Sequence, residues 1–484
     1  MDRNLVALKP ALVWKHFAEI VRIPRPSSHE EKIRRYILDF ARAQGLESKE
    51  DAAHNVYVRK PASKGMEDRK GVILQAHLDM VPQKNNDKEF DFTKDPIDAY
   101  IDGGWVTADG TTLGADNGIG VAAILAVLED RTLKHGPLEA LFTATEETGM
   151  DGANGLEKGL LHGDILLNLD SEEEGELYLG CAGGARLTLT FDPAFQMAPA
   201  GMAGVRCTVG GMAGGHSGCN IADRRGNAIR LLARLLERSP ELLVAAFDGG
   251  SCDNAIPREA SVCGALPADG VEPFRARAAA FAREAAGEFD APPEFRIEVE
   301  AAPLPERVWT GEFRDRVLGA LTGCPDGVVA FDSALGVVRT SSNLASVRSE
   351  GARLVVATSQ RSQVDAKRAA LTEAVAERFR AAGATAAVSH AYPGWEPRPD
   401  SRLFSTAAAL YRELFGKQPE PKVIHAGLEC GILSGINPKL ELLSFGPTLE
   451  NPHSPGERLD IASVGRFWRF LRELIVRLQA SPQP

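Results

Sequence analysis

Two apolar runs in this chain end directly in groups of His, Asp and Glu. In "GVILQAHLDM" a buried-type strand runs into His77 and Asp79, and in "LEALFTATEETGMDG" another runs into Glu146 and Glu147. Asp116 in "TLGADNG", Asp170 in "DILLNLDSEE" and His453 in "TLENPHSPGE" stand in the same setting or close to it. Strands that are continuously apolar belong to a parallel sheet covered on both faces, and ligands of such sheets gather beyond the carboxyl ends of the strands. Singly, each group has an ordinary reading: HxD as a surface strand end, paired glutamates as a solvated turn, Asp before a helix as an N-cap. Together, two imidazoles and several carboxylates are a donor set suited to a pair of divalent cations. A metal hydrolase is the expectation.

The chain of 484 residues is too long for one core and, at 44% hydrophobic, is globular. Strands of four to eight residues alternate with amphipathic helices, which predicts an α/β fold with a mainly parallel central sheet flanked by helices. In "SSHEEKIRRYILDFARAQG", Ser27 or Ser28 is the predicted cap, Glu31 sits near the capping-box position and Gly45 is the stop. A second helix is predicted to begin at Asp116 or Asn117, where exposed amides favour a carboxylate. After Asp170 the spacing changes, and Gly-rich turns, longer helices and further strands fill residues 184–391. Because His453 follows this stretch while the other candidate ligands precede it, residues 1–183 and 392–484 read as one discontinuous catalytic domain, and 184–391 as an inserted α+β domain. "GARLTLTF" and "GARLVVAT" loosely echo one another near opposite ends of the insert.

The 66 acidic and 55 basic residues give a net charge of -11, and the basic ones form no long run, so neither nucleic acid nor an anionic membrane is the expected partner. The opening "MDRNLVALKPALVWKHF" has no basic segment followed by a long apolar one, and no apolar stretch approaches the roughly 20 residues that span a bilayer. A soluble cytoplasmic protein is expected. Seven cysteines without a CxxC pair are read as reduced residues, mostly in the core.

His77 and Asp79 are two apart, so beyond the strand end Asp79 is free to hydrogen-bond the imidazole from behind and fix its tautomer. Adjacent Glu146 and Glu147 point in different directions, which leaves one free as a base while its neighbour binds metal.

The strings "AHLDMVPQKN", "DGTTLGADNGIGVAAILAVLED", "ATEETGMDGA", "LNLDSEEEGELYLGCAGG", "GGMAGGHSG", "HAGLECGIL" and "PHSPGERL" occur in this order over nearly the whole chain. They closely resemble those of the aminoacyl-histidine dipeptidases, also called peptidase D or bacterial carnosinases, within the di-zinc carboxypeptidase and aminoacylase superfamily. The resemblance implies two zinc ions per subunit, with cobalt or manganese as alternatives. Asp116 would bridge them, His77 and Asp170 completing one site and Glu147 and His453 the other. It implies Asp79 and Glu146 as catalytic residues, Glu146 being the general base on a metal-bridging water. The insert would be a lid, with His216 stabilising the oxyanion, Asn254 and Arg361 binding the substrate's oxyanion and terminal carboxylate, and the Gly427 backbone close to the substrate. His425 and Glu429 would add polar contacts. The implied activity is hydrolysis of dipeptides with a free amino end, preferring C-terminal histidine and including β-Ala-His, in a homodimer. An N-acyl amino acid amidohydrolase and a catalytically silent peptide-binding protein are the alternatives.

Overall fold

The computed structural model describes residues 2–480. Two compact units divide the chain: the first comprises 1–180, 397–423 and 428–484, the second 181–396 and 424–427. The junctions lie a few residues outside the insert expected from sequence, and the short return of 424–427 to the second unit was not anticipated.

In the first unit, eight strands form one sheet in the order Glu47–Glu50, Val56–Lys60, Leu138–Thr143, Val72–His77, Ile165–Asn168, Glu441–Ser444, Glu176–Cys181, Glu420–Ile424. Its centre is parallel, from Leu138–Thr143 across to Glu441–Ser444, and antiparallel pairings flank it. Every residue of Val72–His77, Leu138–Thr143 and Ile165–Asn168 is buried, as their unbroken apolar character requires. The helix Ala115–Glu129 is buried on all sides except at Asp116 and Glu129 and packs against the helix Ala11–Ile20. A four-stranded antiparallel sheet contains the hairpin of Leu449–Glu450 and Arg458–Asp460.

The second unit has its own core. Its nine-stranded sheet is antiparallel at each recorded pairing and is accompanied by helices Ala228–Glu237, Val271–Ala285, Gly311–Thr322 and Asp365–Ala381. The two echoing strings fall on neighbouring strands, Leu354 opposite Phe191. Among the described residues no helix is long and apolar enough to cross a membrane.

Two local expectations are corrected. The helix Glu31–Ala43 has no side-chain cap from Ser27 or Ser28; the Ser27 hydroxyl donates instead to Asp79 Oδ2 at 2.8 Å. The helix expected to open at Asp116 or Asn117 begins at Ala115, and both residues depart from helical angles. The carboxylate that takes the amides of this turn is Glu457.

At the far end of the same helix, Lys60 Nζ donates to the carbonyls of Val127 at 2.9 Å and Asp130 at 2.8 Å. A cation on terminal helix carbonyls is favourable, although burial brings Lys60 down to about 8. Replacing Lys60 by Met leaves both carbonyls without this donor, and a loss of about 2 kcal/mol is expected, read as a lower melting temperature with unchanged metal uptake.

Candidate metal centre

The parallel strands deliver their carboxyl ends to one place. His77 ends its strand, Asp170 follows the neighbouring strand Ile165–Asn168, and Glu146 and Glu147 open a short helix just after Leu138–Thr143. Asp116 comes from the turn before the buried helix, and His453 from the loop of the 449–460 hairpin, where it adopts φ 59°. A non-glycine residue in that region is uncommon and is found where surrounding structure enforces it.

The two oxygens of Asp116 each face one imidazole. His77 Nε2 is 2.9 Å from Oδ1, and His453 Nε2 is 3.0 Å from Oδ2. His77 Nε2 is also 3.3 Å from Asp170 Oδ1, and His453 Nε2 is 3.1 Å from Glu147 Oε2. One donor atom each from His77, Asp116 and Asp170 lie within 4.8 Å of one another, and so do those of Asp116, Glu147 and His453; Asp116 belongs to both groups. A third such group joins His77, Glu146 and Glu147.

Behind His77, Asp79 Oδ1 is 3.2 Å from the imidazole Nδ1. The same carboxylate accepts the backbone N–H groups of Glu146 at 2.9 Å and Glu147 at 3.2 Å, so it orients the imidazole and both glutamates. Burial alone would raise Asp79, but the hydrogen bond and charge of His77, with Ser27 and the Glu146 amide, bring it to about 2. Glu30 Oε1 holds Thr145, accepting from its N–H at 3.1 Å and its hydroxyl at 3.0 Å, and so fixes the entry to the glutamate pair.

Sequence reasoning missed two buried groups around this cluster and underrated a third. Glu457 takes four consecutive backbone amides, those of Leu113, Gly114, Ala115 and Asp116. Arg25 donates to the carbonyls of Leu78 and Asp79, each at 2.8 Å, and to that of Gly114. Glu429 accepts from Gln75 Nε2 and Thr143 Oγ1, both at 2.7 Å, while its second oxygen has no hydrogen-bond partner; it had been expected only to add a polar contact. Glu457 alone had a nearby signal, lying four residues after His453.

The electrostatics test whether cations fit here. Among the described residues, no Lys or Arg forms an ion pair with Asp116, Glu146, Glu147 or Asp170. Glu147 Oε1 is buried with no hydrogen-bond partner. Hydrogen bonds donated to the carboxylates of Asp116 and Glu147 lift His453 to about 11. His77 is raised well above its ordinary value because Asp170, Asp116 and Asp79 overcome its burial. Burial and neighbouring carboxylates push Glu146 well up. The cluster gathers two imidazoles and several carboxylates with no Lys or Arg paired to them among the described residues, and such a donor set fits divalent cations.

The remaining predicted residues lie in the second unit. His216 pairs with Ala255 on a short ladder, and its Nδ1 accepts from the amides of Gly218 at 3.2 Å and Cys219 at 3.1 Å. The ring proton is thereby left on Nε2, making that nitrogen the donor. Asn254 is exposed, its carbonyl accepting from Ser217 N at 2.8 Å. Arg361 is 8% exposed; its Nη1 donates to the Tyr392 hydroxyl at 3.0 Å, its Nε has no partner, and no carboxylate pairs with it among the described residues. His425 is held near 4 by burial, then by Arg361, and lies 2.7 Å from Ser341 Oγ. Gly427 ends the 424–427 segment.

Fold and metal centre together define a metallopeptidase, and the chain belongs to peptidase family M20/M25/M40, which matches residues 73–477. Over 482 residues it is 43% identical to the cytosol non-specific dipeptidase of Escherichia coli (strain K12), with 99% of each chain covered. The crystal structure of an aminoacylhistidine dipeptidase from Vibrio alginolyticus matches with a TM-score of 0.91 at 43% identity, covering 99% of both chains. A tripeptidase from Staphylococcus aureus shares the fold, with a TM-score of 0.57 and 16% identity over 98% of this chain and 100% of that one.

Metal loading is expected to raise the melting temperature, because cations at 1,000 times their dissociation constant stabilise by about 4 kcal/mol. It should also release protons, as calorimetry in buffers of different ionisation enthalpy would show. An unchanged melting temperature on adding zinc would refute the fit.

Proposed function

We propose that this chain is a cytoplasmic di-zinc dipeptidase that cleaves dipeptides with a free amino end, prefers histidine at the C-terminal position and accepts the β-alanyl type. The observation that carries the reading is Asp116 set between two imidazoles, each with a further carboxylate. In this reading His77, Asp116 and Asp170 hold one cation, and Asp116, Glu147 and His453 the other. Two cations so held would lower the pKa of a shared water and polarise the scissile carbonyl, so no protein nucleophile is required.

The chain's own residues supply the rest. Glu146 takes the proton of the attacking water and returns it to the leaving amine. Asp79 is the orienting carboxylate, gripping the His77 imidazole and the amides of both glutamates. His216, with its proton on Nε2, donates to the oxyanion. Asn254 assists there, Arg361 binds the terminal carboxylate, and the Gly427 backbone lies along the substrate. Support for the Arg361 role is its burial without an anion, an arrangement that favours capture of a planar carboxylate. The second unit then acts as the lid that measures the dipeptide from both ends. A homodimer belongs to the same reading.

The relatives differ in breadth. The Escherichia coli enzyme is a non-specific dipeptidase and the Vibrio alginolyticus one an aminoacylhistidine dipeptidase, so histidine is proposed as a preference and not a requirement.

Glu146→Gln is expected to lower kcat by about 10²- to 10⁴-fold while metal content and KM stay near wild type; turnover close to wild type would remove Glu146 from the base role. In a panel of β-Ala-His, Gly-His, Ala-His, Gly-Leu and N-acetyl-His, cleavage should be lost on chelation and restored by zinc. It should be strongest for free-amine dipeptides ending in histidine. Cleavage of N-acetyl-His in place of these would make the protein an N-acyl amidohydrolase.

A further inference from the structure

We infer that Glu457 is a positioning residue for the metal pair, setting where Asp116 stands between His77 and His453, with Arg25 holding the opposite side of the same turn. The inference rests on the proposed reading of Asp116 as the shared ligand.

Glu457 Oε2 accepts the N–H groups of Leu113 at 2.8 Å and Gly114 at 2.9 Å, and Oε1 those of Ala115 at 2.7 Å and Asp116 at 3.2 Å. An ordinary helix cap is a short side chain next to the helix that satisfies one or two amides. This carboxylate arrives from 341 residues away, spans four amides and includes that of Asp116 itself. Asp116 and Asn117 lie outside helical geometry, so the intrahelical ladder does not fix the ligand's backbone. Glu457 does.

Its place on the hairpin is the second part of the argument. Glu457 N donates to Ser454 O at 3.0 Å, and Thr107 Oγ1 donates to Glu457 O at 2.8 Å. The loop is therefore pinned at the residue that reaches Asp116 through its backbone, while His453, four positions earlier, faces the side chain of Asp116 at 3.0 Å. The loop thus reaches Asp116 at two points, its backbone through Glu457 and its side chain through His453.

Arg25 completes the clamp. Its guanidinium ties the carbonyls of Leu78 and Asp79, just beyond His77, to that of Gly114. A Cβ at Gly114 would lie 2.8 Å from Arg25 Nη2, and one at Gly118 only 2.6 Å from it. Both glycines of "LGADNG" thus make room for a buried cation, which links the His77 strand end to the Asp116 turn.

The test uses the full-length protein stripped of metal and titrated with cobalt(II), comparing wild type, Glu457→Gln and Asp116→Asn. The readouts are cobalt affinity, ions bound per chain, the visible cobalt absorption spectrum and the melting temperature of the metal-free protein. Glu457→Gln puts an amide N–H₂ against backbone donors, and at least one of the two cobalt ions should bind at least tenfold more weakly, with an altered spectrum. Two ions bound with wild-type affinity and spectrum would overturn the inference even if the metal-free protein melted earlier, because that result describes a structural cap. Should wild type bind two ions and Asp116→Asn bind them just as tightly, the Asp116 reading itself falls. If Glu457→Gln does not fold, Glu457→Asp keeps the charge but shortens the reach. Weaker cobalt binding there would support the positioning role, and wild-type binding would overturn it.

Discussion

Repulsion among buried carboxylates is the constraint on which the first unit is arranged. Asp79, Asp116, Glu146, Glu147, Asp170, Glu429 and Glu457 converge where the parallel strands end. Two like charges 4 Å apart cost about 4 kcal/mol even at an effective dielectric of 20, and a whole domain is stable by only about 5–15 kcal/mol. Several such pairs could not all persist without compensation. The fold supplies it in layers. Backbone amides neutralise Glu457 and Asp79, Gln75 and Thr143 meet Glu429, and the Arg25 guanidinium lies behind. Only the innermost carboxylates are left for cations. Burying the strands on both faces is what lets their ends point so many acids at one spot.

The second unit carries the converse imbalance. Arg361 is buried with no carboxylate partner among the described residues, and His425, held low by burial and by Arg361, lies in its field. Such residues are poor contributors to stability and are explained by what they bind.

How much of this was legible in the sequence depended on how local the signal was. Apolar runs ending in His77, Asp79, Glu146 and Glu147 declared the strands, because burial is written within about ten consecutive residues. Discontinuity was legible because His453 had to rejoin groups that precede Asp170. Glu457 and Arg25 were not, since a lone Glu in a polar turn and a lone Arg before a proline look solvated until the fold brings backbone groups to them. The same cause explains the two misread caps. Ser27 and Asp116 have the residue types that cap helices, but their side chains answer to Asp79 and to the imidazoles, both distant in sequence. Glycines 114 and 118 were visible throughout, yet their meaning, space for a guanidinium, required knowing what lay against them.

His453 stands 337 residues after Asp116, with the whole second unit encoded between them. At roughly 5–20 residues per second of synthesis, on the order of 20–70 s separate the two ligands on the ribosome. During that interval His77, Asp116, Glu146 and Asp170 exist without the 449–460 hairpin loop, and their acids repel with the second imidazole missing.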